Sequence, residues 1–245
     1  MNLGCGTKTS AHPDVVNLDW TFYLRLRKSW VGRRVVAPVI LRGDRIEKMK
    51  AIPANVVVHD LRRPLPFPDG SVDAVYHSHV IEHIDRDQVD GFITECHRII
   101  RSGGVLRIAV PDLERLAREY LASVEASADA DLAARVAHDD TVSALYEQSV
   151  RRDAFGTAGS GGNSVLQFVE RVALGDARRR GETHQWMYDR VNLGALLEQN
   201  GFIDVSTRSF NDSSLGDAWQ DYGLEVDADG GEYKRQSLYI EAIKP

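Results

Sequence analysis

The chain has 245 residues, 43% of them hydrophobic, with 30 basic and 36 acidic side chains and a formal net charge of −6. That is enough apolar material for one α/β core, while no apolar run reaches the roughly 20 residues that span a bilayer. A pI near 5.8 without a recognisable nucleic-acid-binding module argues against DNA or RNA as partner, and two cysteines with no leader segment point to a reducing, cytoplasmic setting.

The first element, Asn2-Leu3, runs into Gly4-Cys5-Gly6-Thr7, and Val15 to Asp19 reads as a strand ending in an acid. Glycines at 4 and 6 allow a tight turn that a ligand can approach closely, and a carboxylate at the tip of the next strand can accept both hydroxyls of a ribose. Thr9 stands where a dinucleotide fingerprint needs its third glycine, and Pro13 breaks the short stretch from Lys8 to Asp14. A phosphate-cradling helix end is therefore not expected there, and a nucleoside ligand without phosphates fits better. A central parallel strand normally contributes about five or six residues, which leaves open whether the native start lies upstream of Met1.

From Trp20 to Lys50 the chain carries Arg25, Arg27, Lys28, Arg33, Arg34, Arg42, Arg45, Lys48 and Lys50 against only Asp44 and Glu47, interleaved with Trp20, Phe22, Tyr23, Leu24, Leu26 and Trp30. The favoured reading is a solvated amphipathic cover over the sheet; the alternative is peripheral contact with an anionic acceptor or membrane surface. Val56 to Leu61 is an apolar run ending in an acid, the prolines at 64, 66 and 68 mark a rigid loop, and Val72 to Tyr76 is the next strand. His77 to His83 is expected to open an amphipathic helix whose inner face carries Val89, Phe92, Ile93, Cys96, Ile99 and Ile100. Gly103-Gly104 then leads into a strand over Val105 to Val110.

On these residues the chain resembles a class I S-adenosylmethionine-dependent methyltransferase of the type 11 group over nearly its whole length. The resemblance implies a Rossmann-like α/β fold: a seven-stranded, mostly parallel sheet with helices on both faces. It implies S-adenosylmethionine as cofactor, with Gly4, Cys5 and Gly6 around its methionine part and Asn2 where the family usually has an acid. Asp19 would then hold the ribose, Asp60 and Leu61 would read the adenine, and the strand through Tyr76 with His77 to His79 beyond it would line the space toward the acceptor. One domain is expected over 1–245, with helical insertions at about 20–54 and 112–183 forming a lid.

That second insertion follows Pro111-Asp112. Leu113, Leu116, Ala117, Tyr120 and Leu121 recur at helical spacing, an alanine-rich acidic stretch runs to Val150, and Gly156 to Ser164 reads as a flexible link. An insertion there sits over the carboxyl ends of the strands, where open α/β sheets place ligands. His184-Gln185-Trp186-Met187-Tyr188 precedes a helix with Val191, Leu193, Leu196 and Leu197 that stops at Asn200-Gly201. Two readings of it stand side by side: Trp186 and Tyr188 stack on a sugar face while His184 accepts a proton, or the aromatics anchor the lid. This segment and the closing Ser237 to Ala242 resemble type 11 enzymes encoded beside polysaccharide genes, including the sugar O-methyltransferases of mycobacterial methylmannose polysaccharide synthesis. The resemblance implies O-methylation of a sugar or oligosaccharide hydroxyl. Alternatives are a lipid, quinone or other small molecule, or a non-catalytic cofactor-binding module; a homodimer is also expected.

Methyl transfer is an in-line displacement, so a hydroxyl acceptor must be aligned and lose its proton as the bond forms. His79, Glu82 and His83, at i, i+3 and i+4, would share one helix face. They serve as base and orienting partner, as a divalent metal site, or as a helix cap. With His184 and Tyr188 they make up the candidate catalytic set. As a metal site they resemble the Glu-x-x-Glu-His of some O-methyltransferases with His79 replacing a carboxylate, which disfavours Mg2+ because that ion prefers oxygen ligands. His12, His59, His97 and His138 have no comparable company.

Overall fold

The structure is a computed structural model that describes residues 1–36, 46, 49–50, 53, 55–149 and 183–245. Arg42, Arg45, Lys48 and the expected link from Gly156 to Ser164 lie outside the described residues. The strands are β1 (Asn2–Leu3), β2 (Asn17–Asp19), β3 (Val56–Val58), β4 (Val72–Ser78), β5 (Ile100–Pro111), β6 (Ile203–Arg208) and β7 (Ser237–Ile243). They form one seven-stranded sheet in the order β3-β2-β1-β4-β5-β7-β6. The pairs from β3 across to β5 are parallel, and β7 enters antiparallel between β5 and β6. This is the Rossmann-like arrangement expected from the sequence. Its chain order reverses at β1 and β4, where such sheets open a crevice at their carboxyl edge.

Described helices, numbered in chain order, are α1 (Phe22–Lys28), α2 (Val89–Ile99), α3 (Leu113–Ser127), α4 (Leu132–Ser149), α5 (Arg190–Gln199) and α6 (Ala218–Tyr222). Helix α2 buries Val89, Phe92, Ile93, Cys96 and Ile99, each worth on the order of 2 kcal/mol of transfer free energy. With Leu193, Leu196 and Leu197 of α5 they pack on Leu3, Leu18, Val75, Leu106, Ile108 and Ile240, which form one continuous apolar face of the sheet. On the opposite face α1 covers the β3 edge, where Leu24 meets Cys5 and Val56, and α6 brings Trp219 against Tyr76. Helix α5 starts on a reciprocal cap: Asp189 accepts from the amides of Val191 and Asn192, while the Asn192 side chain accepts from the Asp189 N–H.

Strand β4 corrects one expectation. Residues 77–83 are not the start of a helix: the strand runs on through Ser78, pairing His77 with Ile108 and Ser78 with Ala109. His79 then sits at φ +53°, a single 3-10 turn covers Ile81–His83, and the helix begins only at Val89. The cause is the length of β5. It runs on to Pro111, so Ile108 and Ala109 hold His77 and Ser78 in the ladder, while its other end starts at Ile100, directly on the end of α2. Gly104 permits this early start, because a Cβ there would lie 2.6 Å from Ile100 Cγ2 and 2.7 Å from the Asp73 carbonyl, at the shift in β4–β5 register.

Register also separates the two faces chemically. One rung across the sheet reads Asn17, Asn2, Tyr76, Arg107, Glu241 and Ser206, and the adjacent rung reads Leu18, Leu3, His77, Ile108, Ile240 and Thr207. The second rung faces the apolar core. The first is roofed by the segment over 209–236, which carries α6, Glu225 and Tyr233.

Candidate functional site

A cleft of about 250 Å3 opens at the carboxyl ends of β1 and β4. Gly4, Gly6 and Thr7 line one side, Tyr76, Ser78, His79 and His83 the other, and Lys8, Tyr233 and Lys234 close it. Gly4 and Gly6 lie at φ +62° and +53°, the left-handed region that glycine enters without cost. Their roles divide. A Cβ on Gly4 would fall 2.4 Å from Val80 Cγ2, whereas a Cβ on Gly6 would meet nothing within 4 Å. Gly4 thus makes room for the chain's own valine, and Gly6 leaves space for a visitor.

Asp19 acts on this turn. Its Oδ2 accepts the Gly6 amide at 2.6 Å and its Oδ1 the Thr21 amide at 2.6 Å, and the residue is 4% exposed. Asn2, also buried, donates to the Lys8 carbonyl and to Asn17 Oδ1, each at 3.0 Å, so it staples the loop after the turn. Cys5 lies under the turn, and burial pushes its thiol up to about 12, which makes it an inert packing group. Asp60 is clamped by Arg62 at 2.9 and 2.8 Å; that pairing holds its carboxyl below the usual range. Leu61 lines a second cleft of about 340 Å3 with Ile84 and Phe92, and it also stands 3.6 Å from the position a Gly4 Cβ would take.

Beyond β4 the structure gathers four ionisable groups. Glu82 is fully buried, and its carbonyl accepts the amides of Gln185 at 2.6 Å and Trp186 at 3.4 Å, pinning the chain before α5 against the 3-10 turn. His184 is thereby placed edge-on to His83, ring centroids 4.7 Å apart. His83 Nδ1 bonds the Thr183 carbonyl at 3.2 Å and His184 Nδ1 the Gln148 carbonyl at 2.5 Å. A carbonyl only accepts, so in both rings Nδ1 carries the hydrogen and the neutral ring keeps its lone pair on Nε2. His79 has the other tautomer. Ser237 Oγ donates to the Lys234 carbonyl, so at 2.9 Å it accepts from His79 Nε2, while His79 Nδ1 lies 3.4 Å from Glu82 Oε1.

Two candidates fall elsewhere. His77, expected beside the cofactor, points into the apolar face, is fully buried and stacks on Phe92 with centroids 5.3 Å apart. Neither of its ring nitrogens has a hydrogen-bond partner among the described residues, and burial lowers its pKa to about 3. Strand alternation is the reason: Tyr76, its neighbour, is the residue that faces the cleft. Tyr188, expected to be catalytic, is 1% exposed and belongs to the core cluster, pairing with Asp112 beside β5. Tyr188 therefore packs in the core and does not line the cleft. Trp186 is 44% exposed, with the Arg86 guanidinium 5.2 Å from its ring centre.

Sequence reasoning missed the wall made by 209–236. Lys8 Nζ donates to the Val226 carbonyl and stands 4.7 Å from the Tyr233 ring centre. Beneath that wall Arg107, fully buried, is held by Glu225 and by Glu241 at 2.7 Å, and its guanidinium lies 4.6 Å from the Trp219 ring centre. Glu241 also accepts from Ser213 Oγ and the Ser214 amide.

Among the described residues no helix is long and apolar enough to cross a membrane. Residues 36–108 match a family model described as a methyltransferase domain. A probable S-adenosylmethionine-dependent methyltransferase of Mycolicibacterium smegmatis is 48% identical over 89 residues, 33% of this chain and 34% of that protein. One of the same description from Mycobacterium tuberculosis is 40% identical over 77 residues, 31% of this chain and 24% of that protein. The chain thus spans about a third or less of the length of these curated relatives. Among solved structures, the PH0226 protein of Pyrococcus horikoshii is similar over 100% of this chain and 80% of its own at 13% identity and TM-score 0.45.

Proposed function

We propose that this chain is an S-adenosylmethionine-dependent methyltransferase acting on a hydroxyl, most suitably that of a sugar or oligosaccharide. The observation that carries the reading is the cleft itself: a left-handed glycine turn with open space over Gly6 on one side, and His83 on the other. The methyltransferase match over 36–108 supports it, since those residues include β3, β4, His79, Glu82 and His83. The residues fit the cofactor at this turn. Gly4, Cys5 and Gly6 with Asn2 would hold its amino-acid end, Asp60 and Leu61 its adenine end, and Asp19 contributes by fixing the turn rather than by facing the cleft. When bound, S-adenosylmethionine supplies an electrophilic methyl group on a sulfonium.

His83 is assigned as general base. Its Nδ1–H bonds the Thr183 carbonyl, so Nε2 is the nitrogen that would take the acceptor proton as the new C–O bond forms. Glu82, with Oε1 3.9 Å from His83 Nε2, stabilises the imidazolium that results. His79 Nδ1 stands 3.4 Å from Glu82 Oε1 on the other side. His184 backs the His83 ring and, through the Gln148 carbonyl, ties α4 of the insertion to the site. In a single domain over 1–245 that insertion would then act as the lid. Away from the glycine turn the cleft is lined by Ser78, His79, His83 and Lys234, a polar set that suits a carbohydrate better than a lipid or quinone.

The test is a methyl-transfer screen of the full chain over mannosides, glucosides and phenols, scoring S-adenosylhomocysteine release. His83→Ala should lower kcat by roughly 100-fold or more, the usual contribution of a general base, with cofactor affinity by calorimetry unchanged. Binding without turnover on any acceptor would favour a non-catalytic cofactor-binding module. No binding heat from a folded protein would end the methyltransferase reading.

A further inference from the structure

We infer that Glu82, His83 and His184 form a binding site for one divalent transition-metal ion of the zinc type, with ligands and metal preference different from a magnesium site built on His79, Glu82 and His83. One ligand atom from each of the three lies within 4.8 Å of the others. They come from segments about a hundred residues apart and are fastened together by the Gln185 and Trp186 amides on the Glu82 carbonyl.

Ring orientation is the stronger argument. Both imidazoles give Nδ1–H to a backbone carbonyl, Thr183 for one and Gln148 for the other. Metal-bound histidines are held in this way, because an outer hydrogen bond on one nitrogen fixes the tautomer and directs the lone pair of the other at the ion. His83 Nε2 already lies 3.9 Å from Glu82 Oε1. Two neutral imidazoles and one carboxylate place a single negative charge in a buried position, which a divalent cation more than offsets.

The donor set selects the ion. Two nitrogens and one oxygen suit Zn2+, Co2+ or Fe2+, whereas Mg2+ prefers an oxygen shell. Bonds of about 2.0–2.1 Å imply tetrahedral edges of about 3.4 Å, so the widest present separation must close by about 1.4 Å, within reach of side-chain rotation. Three protein ligands leave a fourth position, and of the three His83 also lines the cleft. With the ion bound, His83 Nε2 is a ligand and not the proton acceptor, so the two roles are alternatives at that nitrogen; an effect of the ion on an acceptor hydroxyl rests on the methyltransferase reading, whereas binding of the ion does not.

The experiment uses the full chain, stripped with chelator and dialysed, titrated with Co2+ and separately with Zn2+. The expected result is one equivalent bound, visible d–d bands of a low-coordinate Co2+ site, loss of those bands on adding Zn2+, and no displacement by excess Mg2+. His184→Ala and Glu82→Gln should each weaken Zn2+ affinity by roughly 100-fold or more, beyond the usual cost of losing an outer hydrogen-bond partner, while His12→Asn should leave it unchanged. Circular dichroism decides whether the buried Glu82→Gln variant folds; His184→Ala carries the test if it does not. A stoichiometry near zero, or Co2+ spectra identical in wild type and His184→Ala, overturns the site. S-adenosylmethionine calorimetry on the same preparation keeps the two readings apart: Zn2+ binding without cofactor binding would sink the function and leave the metal site standing.

Discussion

Replacing each turn glycine by alanine separates what the two positions do. Gly4→Ala forces an L side chain to φ +62°, at about 1–2 kcal/mol, and sets its Cβ 2.4 Å from Val80 Cγ2, which adds about 1–3 kcal/mol of overpacking. The expected loss is about 2–5 kcal/mol. Gly6→Ala meets nothing within 4 Å and should cost only the backbone portion. The clash is with one methyl group, because Val80 Cβ stands 3.6 Å from the same point, an ordinary contact. In a Val80→Ala background the cost of Gly4→Ala should therefore fall by about 1–3 kcal/mol, read as the coupling energy of a double-mutant cycle from urea unfolding at constant m-value. Cofactor affinity should follow the opposite order, with Gly6→Ala the more damaging because its methyl enters the open space. Equal stability losses at the two glycines, or a coupling energy below about 0.5 kcal/mol, would refute the assignment of Gly4 to Val80.

Two pH effects follow from buried groups. Burial raises Glu225 from 4.5 to about 7, so the folded state holds a proton that the unfolded chain has released, and stability falls as pH rises from about 4.5 to 7. Glu225→Gln should remove that pH dependence, read as the slope of unfolding free energy against pH between 4.5 and about 7, whatever it costs Arg107 in lost pairing; an unchanged slope in the variant would contradict this. For His77 the sign reverses. Its folded pKa is lowered from 6.5 to about 3, so the unfolded chain takes up the proton first and stability is lost as pH falls below 6.5. His77→Leu should flatten the acid limb of a plot of Tm against pH, and an unchanged limb would show that another group titrates there.

The parallel half of the sheet was legible because its signals are local. Apolar runs end in acids or turn residues, and β1, β2 and β3 lie within the runs that marked them. The stretch over 77–83 was misread because His77, Val80 and Ile81 have spacing that suits a helix and a strand end equally; the arbiter is the ladder with β5, a non-local pairing. The same limit explains Arg107. It is one charged residue in a strand of buried apolar neighbours, and its partners Glu225 and Glu241 stand 118 and 134 positions away. No window of sequence around it contains the charges that make its burial tolerable.

The candidate site shows both regimes at once. His79, Glu82 and His83 were singled out for helical spacing, and they do converge, but a left-handed residue and one 3-10 turn bring them together instead of a helix face. Close sequence spacing limits how far three side chains can separate, so proximity survived the wrong secondary structure. Orientation did not survive it. Which histidine offers a lone pair to the cleft depends on which nitrogen meets a carbonyl, and those carbonyls belong to Thr183 and Gln148, 100 and 36 residues from the rings they hold. The chemistry assigned to His83 is therefore a property of the insertion as much as of β4. A variant that detaches α4 from His184 should disturb proton transfer while leaving the glycine turn, fixed by Asp19 and Asn2, unchanged.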